Sequence, residues 1–122
     1  MSISIQQSLK TFGTGLATLS SSSYNVYHYY RPMMTAPFIV WAETEEADNL
    51  HADNKKAETV MRVSVDVYTD TEFDTLFDAV FNYLNDNGMP FTISSVDFEE
   101  STRLIHYSFS TELAVKPYVP ET

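Results

Sequence analysis

Few side chains in this sequence could take part in catalysis or metal binding. His51 and Asp53 stand two residues apart in a polar stretch, and an imidazole beside a carboxylate could supply two ligands of a metal site. Asp97, Glu99 and Glu100 could act as a paired general acid and base. A metal centre needs more ligands than the first pair offers, and the three acids follow a predicted strand into a turn. Ordinary polar surface is the favoured interpretation of both groups.

Other catalytic signatures are missing from the sequence. The chain has no cysteine, which excludes disulfides, thiolate catalysis and cysteine-ligated zinc, and its three glycines form no phosphate-binding loop. No serine stands in a nucleophile-elbow pattern. His106 lies among hydroxyls and tyrosines, where a hydrogen-bonded structural role is expected, and His28 has no evident partner. The sequence therefore predicts no enzyme, no cofactor and no metal.

The charge is strongly one-sided. Seventeen Asp and Glu against seven Lys and Arg give a net charge of −10 over 122 residues, and no basic residue falls between Arg62 and Arg103. Such a surface repels phosphate and disfavours binding to nucleic acid. Three interpretations stay open: a solvated acidic surface, an inhibitor that mimics DNA, and a wall along which DNA slides without sticking. The sequence shows neither a secretion signal nor a membrane-spanning stretch, so we expect synthesis in a cytosol.

Hydrophobic periodicity predicts a strand, a helix and a strand in the second half of the chain. Val63, Val65 and Val67 alternate with polar residues, which predicts a half-buried strand over residues 60–68. A helix should follow with Thr71 as its N-cap and residues 87–88 as its stop. Its apolar stripe consists of Phe73, Leu76, Phe77, Val80, Phe81 and Leu84. Residues 91–98 and 103–113 then read as an antiparallel hairpin.

The first half of the chain supplies a helix and two strands. Apolar spacing predicts a helix near residues 3–13, whose end Gly13 and Gly15 weaken. Strands are predicted over residues 24–30 and 37–44, the second in the sheet interior. Residues 45–57 read as a long polar connection, and residues 114–122 as a tail outside the sheet. The chain is thus predicted to be one α+β domain over 1–122, with element order α-β-β-β-α-β-β. Two helices should pack on a mixed or mostly antiparallel sheet of about four or five strands.

Four segments in this order and spacing carry a family resemblance. They are Phe-Ile-Val-Trp-Ala-Glu at 38–43, Leu-His-Ala-Asp-Asn-Lys-Lys-Ala-Glu at 50–58, Val-Asp-Val-Tyr-Thr-Asp-Thr-Glu-Phe-Asp at 65–74, and Ser-Val-Asp-Phe-Glu-Glu-Ser-Thr-Arg-Leu-Ile-His-Tyr at 95–107. Together they resemble the small tail-terminator proteins (tail-completion, or head–tail joining, proteins) of long-tailed bacteriophages, chiefly those of Gram-positive hosts and their prophages. The resemblance covers residues 36–113. The serine-rich connector at 20–23 and the tyrosines near residue 27 depart from it.

This resemblance implies a structural role in a virion. A compact α+β subunit of that family forms a hexameric ring on the head-proximal end of the tail tube. The ring ends tube polymerisation and presents a joining surface to the head connector, while DNA passes through its lumen without specific binding. The implied partners are further copies of the chain, the tail-tube protein and the head-completion protein. The implied location is the virion tail after synthesis in the host cytoplasm, and the family has no catalytic residues.

The same resemblance directs attention to two groups of residues. The polar stretch 44–57, expected to be flexible in the free subunit, carries both signs of charge and suits a contact between ring subunits. Its candidate interface residues are Glu45, Glu46, Asp48, His51, Asp53, Asn54, Lys55 and Lys56. The candidate lumen-facing acids are Asp97, Glu99 and Glu100. The alternative function is a small acidic inhibitor of a DNA-binding enzyme, which would present carboxylates in paired rows at phosphate-like spacing.

Overall fold

The computed structural model describes residues 2–19, 25–31, 36–52, 55–115 and 117–118, with side chains for 4–19, 25–31, 36–47 and 59–115. The elements are β1 (Ser2–Ile3), α1 (Ile5–Ala17), β2 (Asn25–His28), β3 (Phe38–Ala52), β4 (Lys55–Thr69), α2 (Thr75–Asp86), β5 (Phe91–Glu99), β6 (Leu104–Val115) and β7 (Pro117–Tyr118). Five strands form one mixed sheet in the order β2-β3-β4-β6-β5, in which only β2 and β3 are parallel. The predicted α+β domain and its element order are confirmed.

The core lies between one face of this sheet and both helices. Val63, Val65 and Val67 of the central strand β4 are fully buried on that face, as their alternation predicts. Each buried side chain of this size contributes about 1.5–3 kcal/mol relative to an exposed one. We refer to this side as the helix face and to the opposite side as the open face. The helices contribute Leu9, Phe12, Leu16, Leu76, Val80 and Leu84.

Helix α2 begins later than the apolar stripe predicts. Its N-cap is Asp74, whose Oδ1 accepts a hydrogen bond from the Leu76 amide at 2.9 Å. The Thr69 hydroxyl at the end of β4 donates to Asp74 Oδ2 at 2.6 Å and fixes the cap in place. The prediction of Thr71 as N-cap is therefore wrong. Phe73 precedes the helix with φ 59° and is 89% exposed, so it does not belong to the buried stripe. The predicted stop is confirmed, since Gly88 has φ 66°.

Helix α1 is longer than predicted. Its two glycines do not end the helix but allow it to pack closely against its neighbours. It continues to Ala17, beyond the expected end near residue 13. A Cβ at Gly13 would lie 2.5 Å from the Trp41 ring on β3, and a Cβ at Gly15 would collide with the Tyr83 hydroxyl of α2. These two positions let the helix backbone approach both neighbours more closely than any larger residue would allow.

The prediction that the polar stretch 45–57 forms a loop is wrong. β3 and β4 continue through it as an antiparallel hairpin whose register runs outward to Ala52 opposite Lys55. Three register shifts interrupt the pairing, between Glu43 and Glu45, between Glu46 and Asp48, and between Leu50 and His51. The predicted tail differs at its start, because β6 continues to Val115. Residues 117–118 lie outside the five-stranded sheet and pair with β1 in a separate two-stranded sheet.

The packing at Gly13 reverses the usual effect of an alanine in a helix. Helix propensity alone predicts that Gly13→Ala stabilises the protein by about 1 kcal/mol. We expect the opposite, because the new methyl group would overlap the Trp41 ring and overpacking typically costs about 1–3 kcal/mol. Thermal unfolding of Gly13→Ala beside Thr14→Ala, a change at an exposed position of the same helix, measures the sign. A melting temperature of Gly13→Ala above that of the parent protein would contradict this account.

Candidate functional site

The outer half of the β3–β4 hairpin extends beyond its neighbouring strands. β2 pairs with β3 only as far as Trp41, and β6 pairs with β4 only as far as Thr59. Three register pairs lie farther out: Leu50 with Glu58, His51 with Lys56, and Ala52 with Lys55. At about 3.3 Å per residue they extend roughly 10–13 Å past the end of β6. We call residues 45–52 and 55–62 the hairpin arm and residues 50–52 and 55–58 its tip.

Six of the eight predicted interface residues lie on the described strands of this arm. Glu45, Glu46 and Asp48 lie on β3 at its base, and Lys55 and Lys56 begin β4 at its tip. His51 lies opposite Lys56 in the register, whereas Asp53 and Asn54 lie outside the described residues. The arm therefore carries acids at its base and lysines at its tip, on a paired hairpin and not on a loop.

An arginine ties the base of the arm to the sheet. Arg62 of β4 places Nη1 2.6 Å from Glu45 Oε1 of β3 and Nη2 3.8 Å from Glu112 Oε1 of β6. All three side chains are exposed or partly exposed, so the pairs contribute little to the free energy of unfolding. Their effect is positional, because they link three adjacent strands immediately beyond the first register shift of β3.

The open face carries a row of stacked rings across three strands. Phe38 of β3 stacks on Tyr68 of β4 with centroids 4.9 Å apart, and Tyr68 stacks on His106 of β6 at 4.3 Å. His106 Nε2 lies 2.8 Å from Asp66 Oδ1 on the neighbouring strand. Partial burial and the nearby charge of Asp66 raise the pKa of Tyr68. This geometry agrees with the structural role expected for His106.

Arg31, which follows β2, contacts residues of β4 and β5 on this face. Its guanidinium lies 4.6 Å from the Tyr68 ring centroid and forms a bidentate pair with Glu99 of β5, at 3.0 and 3.1 Å. Thr102 also donates to Glu99, at 2.7 Å. The hydrogen bonds from Arg31 and then Thr102 lower the pKa of Glu99. This acid therefore links two parts of the subunit and is not part of a simple solvated rim.

The other two candidate lumen acids have different surroundings. Asp97 lies opposite His106 in the register, on the open face, and its side chain is exposed. Glu100 is exposed in the turn that follows β5. The structure thus brings Asp97 and Glu99 to one face of β5 and leaves Glu100 at the end of the sheet. Their orientation toward a lumen stays a prediction.

A second histidine site was not foreseen from the sequence. The His28 ring lies between those of Tyr29 and Trp41, with centroid distances of 3.7 and 3.9 Å, and its Nε2 lies 2.7 Å from Glu43 Oε1. The Tyr29 hydroxyl donates to the other carboxylate oxygen. Burial raises the pKa of Glu43, but the hydrogen bonds from Tyr29 and His28 outweigh it and the net pKa is lowered. These residues come together through the parallel pairing of β2 with β3, which no local sequence pattern predicts.

An apolar surface lies along β5 at the edge of the sheet. Ile93, Val96 and Phe98 are 42%, 57% and 48% exposed, and the adjoining Phe81 of α2 is 37% exposed. Phe81 contacts Phe91, the first residue of β5, edge to face at 4.9 Å. We call Phe81, Ile93, Val96 and Phe98 the β5 strip. The prediction that Phe81 belongs to the buried stripe holds only in part, because α2 stops short of covering this edge.

Metal binding and membrane insertion find no support in the described part of the chain. Its His, Asp and Glu side chains include no group of three or more that could hold a metal ion. None of the described helices combines the length and the apolar character needed to cross a membrane.

Comparison with known proteins identifies a shared fold. No protein-family model matches the sequence, and neither does any curated protein. Among solved structures, the fold is similar to that of a chain in the virion of a native gene transfer agent (GTA) particle, with a TM-score of 0.58. The likeness covers 90% of each chain at 17% sequence identity. At this identity the comparison establishes a common fold.

The Arg31–Glu99 pair predicts an acid-dependent contribution to stability. Because the folded state lowers the pKa of Glu99, its contribution is present above the ordinary pKa of glutamic acid and is lost as the pH falls through the lowered value. Glu99→Gln should therefore lower the free energy of unfolding at neutral pH, by about 1 kcal/mol or less for a partly exposed pair. The difference from the parent should disappear in acid.

Denaturant unfolding over a pH series measures this effect, with Glu100→Gln as the matched control at the exposed neighbouring position. A difference for Glu99→Gln that stays constant into strong acid would argue against a role for the ionised pair.

Proposed function

We propose that this chain is a structural virion protein that forms a hexameric ring at the head-proximal end of a tail tube. The ring ends polymerisation of the tube and provides the surface to which the head connector binds. In this role the subunit performs no catalysis, and its partners are its own copies, the tail-tube protein and the head-completion protein.

The observation that carries this proposal is the fold shared with a chain of a gene transfer agent virion over 90% of both chains. Such a particle is phage-like. The four segments that resemble phage tail terminators point to the same class of protein and lie on the elements that build the sheet and the arm.

The hairpin arm supports assembly into a ring. A hairpin whose tip extends roughly 10–13 Å beyond the sheet contributes little to the core of its own subunit. It suits a contact with a neighbouring subunit. We propose that this contact includes Glu45, Glu46, Asp48, His51, Asp53, Asn54, Lys55 and Lys56. In a head-to-tail ring each subunit offers two different surfaces, so one protruding element is enough.

The acidic surface supports passage of DNA through such a ring. With a net charge of −10, the subunit repels phosphate, which disfavours DNA binding. Asp97 and Glu100 are the preferred lumen-facing candidates because both side chains are exposed. Glu99 belongs to the same proposed set, but Arg31 already offsets its charge.

An inhibitor that mimics DNA fits the side-chain contacts less well. A mimic needs carboxylates that are available to a partner in rows at phosphate-like spacing. In this subunit Glu43, Glu45, Asp66 and Glu99 are each within hydrogen-bond distance of an internal partner. These contacts favour the structural role.

Loss of the protein should change the length of tails as well as their attachment. In a phage or prophage that encodes this chain, deletion of its gene should give tubes of uncontrolled length that do not join heads, because nothing ends polymerisation. Electron microscopy of lysates measures both properties, and expression of the intact gene in trans is the control. Tails of normal length joined to heads in the deletion strain would refute the proposed function.

The lysines at the arm tip should matter for assembly and not for folding. Lys55→Glu combined with Lys56→Glu should leave the melting temperature within about 1–2 °C of the parent, since surface substitutions change stability little. The same variant should weaken ring formation and head joining. Lys10→Glu, at an exposed position of α1, is the control for a charge reversal away from the arm. Equal head joining by all three proteins would mean that the tip makes no essential contact.

The isolated protein should not retain DNA. Phosphate contacts are strongest at low salt, so a gel shift at low ionic strength is the most sensitive condition for detecting them. We expect no shift at any protein concentration tested, because the negative surface repels the DNA backbone. Salt-sensitive retention at micromolar protein would contradict the passive role proposed for the acidic surface.

A further inference from the structure

The edge strand β5 has the features of a strand that receives a partner. Sheet edges in natural proteins are commonly protected from other chains by Lys, Pro or bulges. β5 contains neither Lys nor Pro over its nine residues, and it has one register shift, between Ile93 and Ser95. The β5 strip on its helix face leaves four large apolar side chains more than a third exposed. Scattered exposed apolar residues are normal, but adjoining ones along an open edge mark a contact surface.

A cleft at the end of this strip is suited to a cationic side chain. It has a volume of about 370 Å³ and is lined by Asp70, Glu72, Phe98, Arg103 and Ile105. The Arg103 guanidinium lies 5.5 Å from the Phe98 ring centroid. Two carboxylates against one guanidinium leave the lining negative, and Glu100 adds another exposed charge in the adjacent turn. A lysine fits such a surface, because its aliphatic stem can lie on Phe98 while its ammonium group meets the acids.

The complementary charge on this chain lies at the tip of the hairpin arm. Of the seven Lys and Arg residues, Lys55 and Lys56 are adjacent and begin β4 at the tip. Arg31 and Arg62, in contrast, are paired with Glu99 and Glu45 within the subunit. The arm tip is therefore the element best able to offer positive charge to a neighbour.

The arm cannot reach the cleft of its own subunit. β6 joins the arm end of β4 through the pair Thr59 and Val115, and the opposite end of β4 through the pair Thr69 and Ile105. Ile105 lines the cleft, so the cleft lies at the end of the sheet away from the arm. Fourteen residue steps along β4 separate Lys55 from Thr69, which is roughly 45 Å in an extended strand. The two surfaces can meet only between different copies of the chain.

We infer that the β5 strip and its cleft are the acceptor surface for the hairpin arm of a second copy of this chain. The arm and the acceptor are different surfaces, so the contact is head-to-tail and repeats around a closed ring. This inference rests on the proposed ring and identifies the surface that receives the arm in it.

Cysteine cross-linking tests the contact directly, because the parent chain contains no cysteine. Lys56→Cys on the tip and Val96→Cys on the strip are prepared as separate proteins and mixed with a short bismaleimide reagent. A covalent dimer should form in the mixture and not with either protein alone, and the double variant should give a ladder of oligomers. Mixing Lys56→Cys with Thr14→Cys, at an exposed position of α1, is the control. No dimer with Val96→Cys, or an equal yield with Thr14→Cys, would overturn the inference.

A charge exchange tests the specificity of the cleft. The variant with Lys55→Glu and Lys56→Glu should associate with a dissociation constant roughly tenfold or more above that of the parent. Introducing Glu72→Lys and Glu100→Lys in the same chain should restore much of the loss, whereas the two cleft substitutions alone should also weaken association. Sedimentation measures association, and melting temperatures verify folding. Failure of the second pair to restore association in folded protein would contradict the assigned partner.

Failure of this inference and failure of the proposed function give different results. If gene deletion produces overlong tubes but Lys56→Cys and Val96→Cys do not cross-link, the terminator role stands and the acceptor surface is wrong. If the pair cross-links but gene deletion leaves tail length and head joining normal, the contact is real and the terminator role is wrong.

Discussion

The fold depends on the burial of one face of the sheet beneath two helices. β4 lies at the centre of this arrangement, and its valines at 63, 65 and 67 have no contact with solvent. Because both described helices lie on the same side, the opposite face satisfies its polar groups without a described helix over it. It does so through the stacked row that ends at His106 and through the Arg31–Glu99 pair. The one-sided core also leaves the edge of β5 and the hairpin arm available for contacts with other chains.

The sequence predicts those parts of the fold in which buried residues recur at the regular spacing of a strand or a helix. The alternation of β4, most of the stripe of α2 and the β5–β6 hairpin follow from apolar spacing, because each of these segments lies against the core. The start of α2 does not follow from it. The Thr69–Asp74 hydrogen bond moves the cap by three residues from the predicted Thr71, and it joins the end of a strand to the start of a helix. Apolar spacing carries no information about such a polar link, so Phe73 is assigned to the stripe although it is exposed.

The hairpin arm is the clearest case of structure that apolar spacing cannot reveal. Strand alternation appears in a sequence only where one face of the strand is buried. Beyond Thr59 none of the described strands pairs with the hairpin as a third strand, and its pairing rests on backbone hydrogen bonds that any residue except proline can form. A polar sequence such as 45–57 therefore looks the same in a loop and in an exposed hairpin. The His28–Glu43 pair was not predicted for a related reason. The two residues are 15 positions apart in the sequence and meet only through the parallel register of β2 and β3.

Charge imposes opposite demands on the free subunit and on the ring that we propose. Every copy carries a net charge of −10, so copies repel one another at a distance. In the proposed contact, the lysine-bearing tip of one copy and the acidic cleft of the next attract each other. Salt affects the two interactions unequally. At physiological ionic strength the Debye length is about 8 Å, which screens the repulsion between whole subunits more strongly than a partly desolvated contact. An excess of acid that slows association of free subunits would therefore not prevent closure of the proposed ring once neighbours are held together. The two roles that we propose, a surface along which DNA passes and a contact that holds subunits together, can thus coexist in one small chain, because Lys55 and Lys56 lie at the tip of the arm.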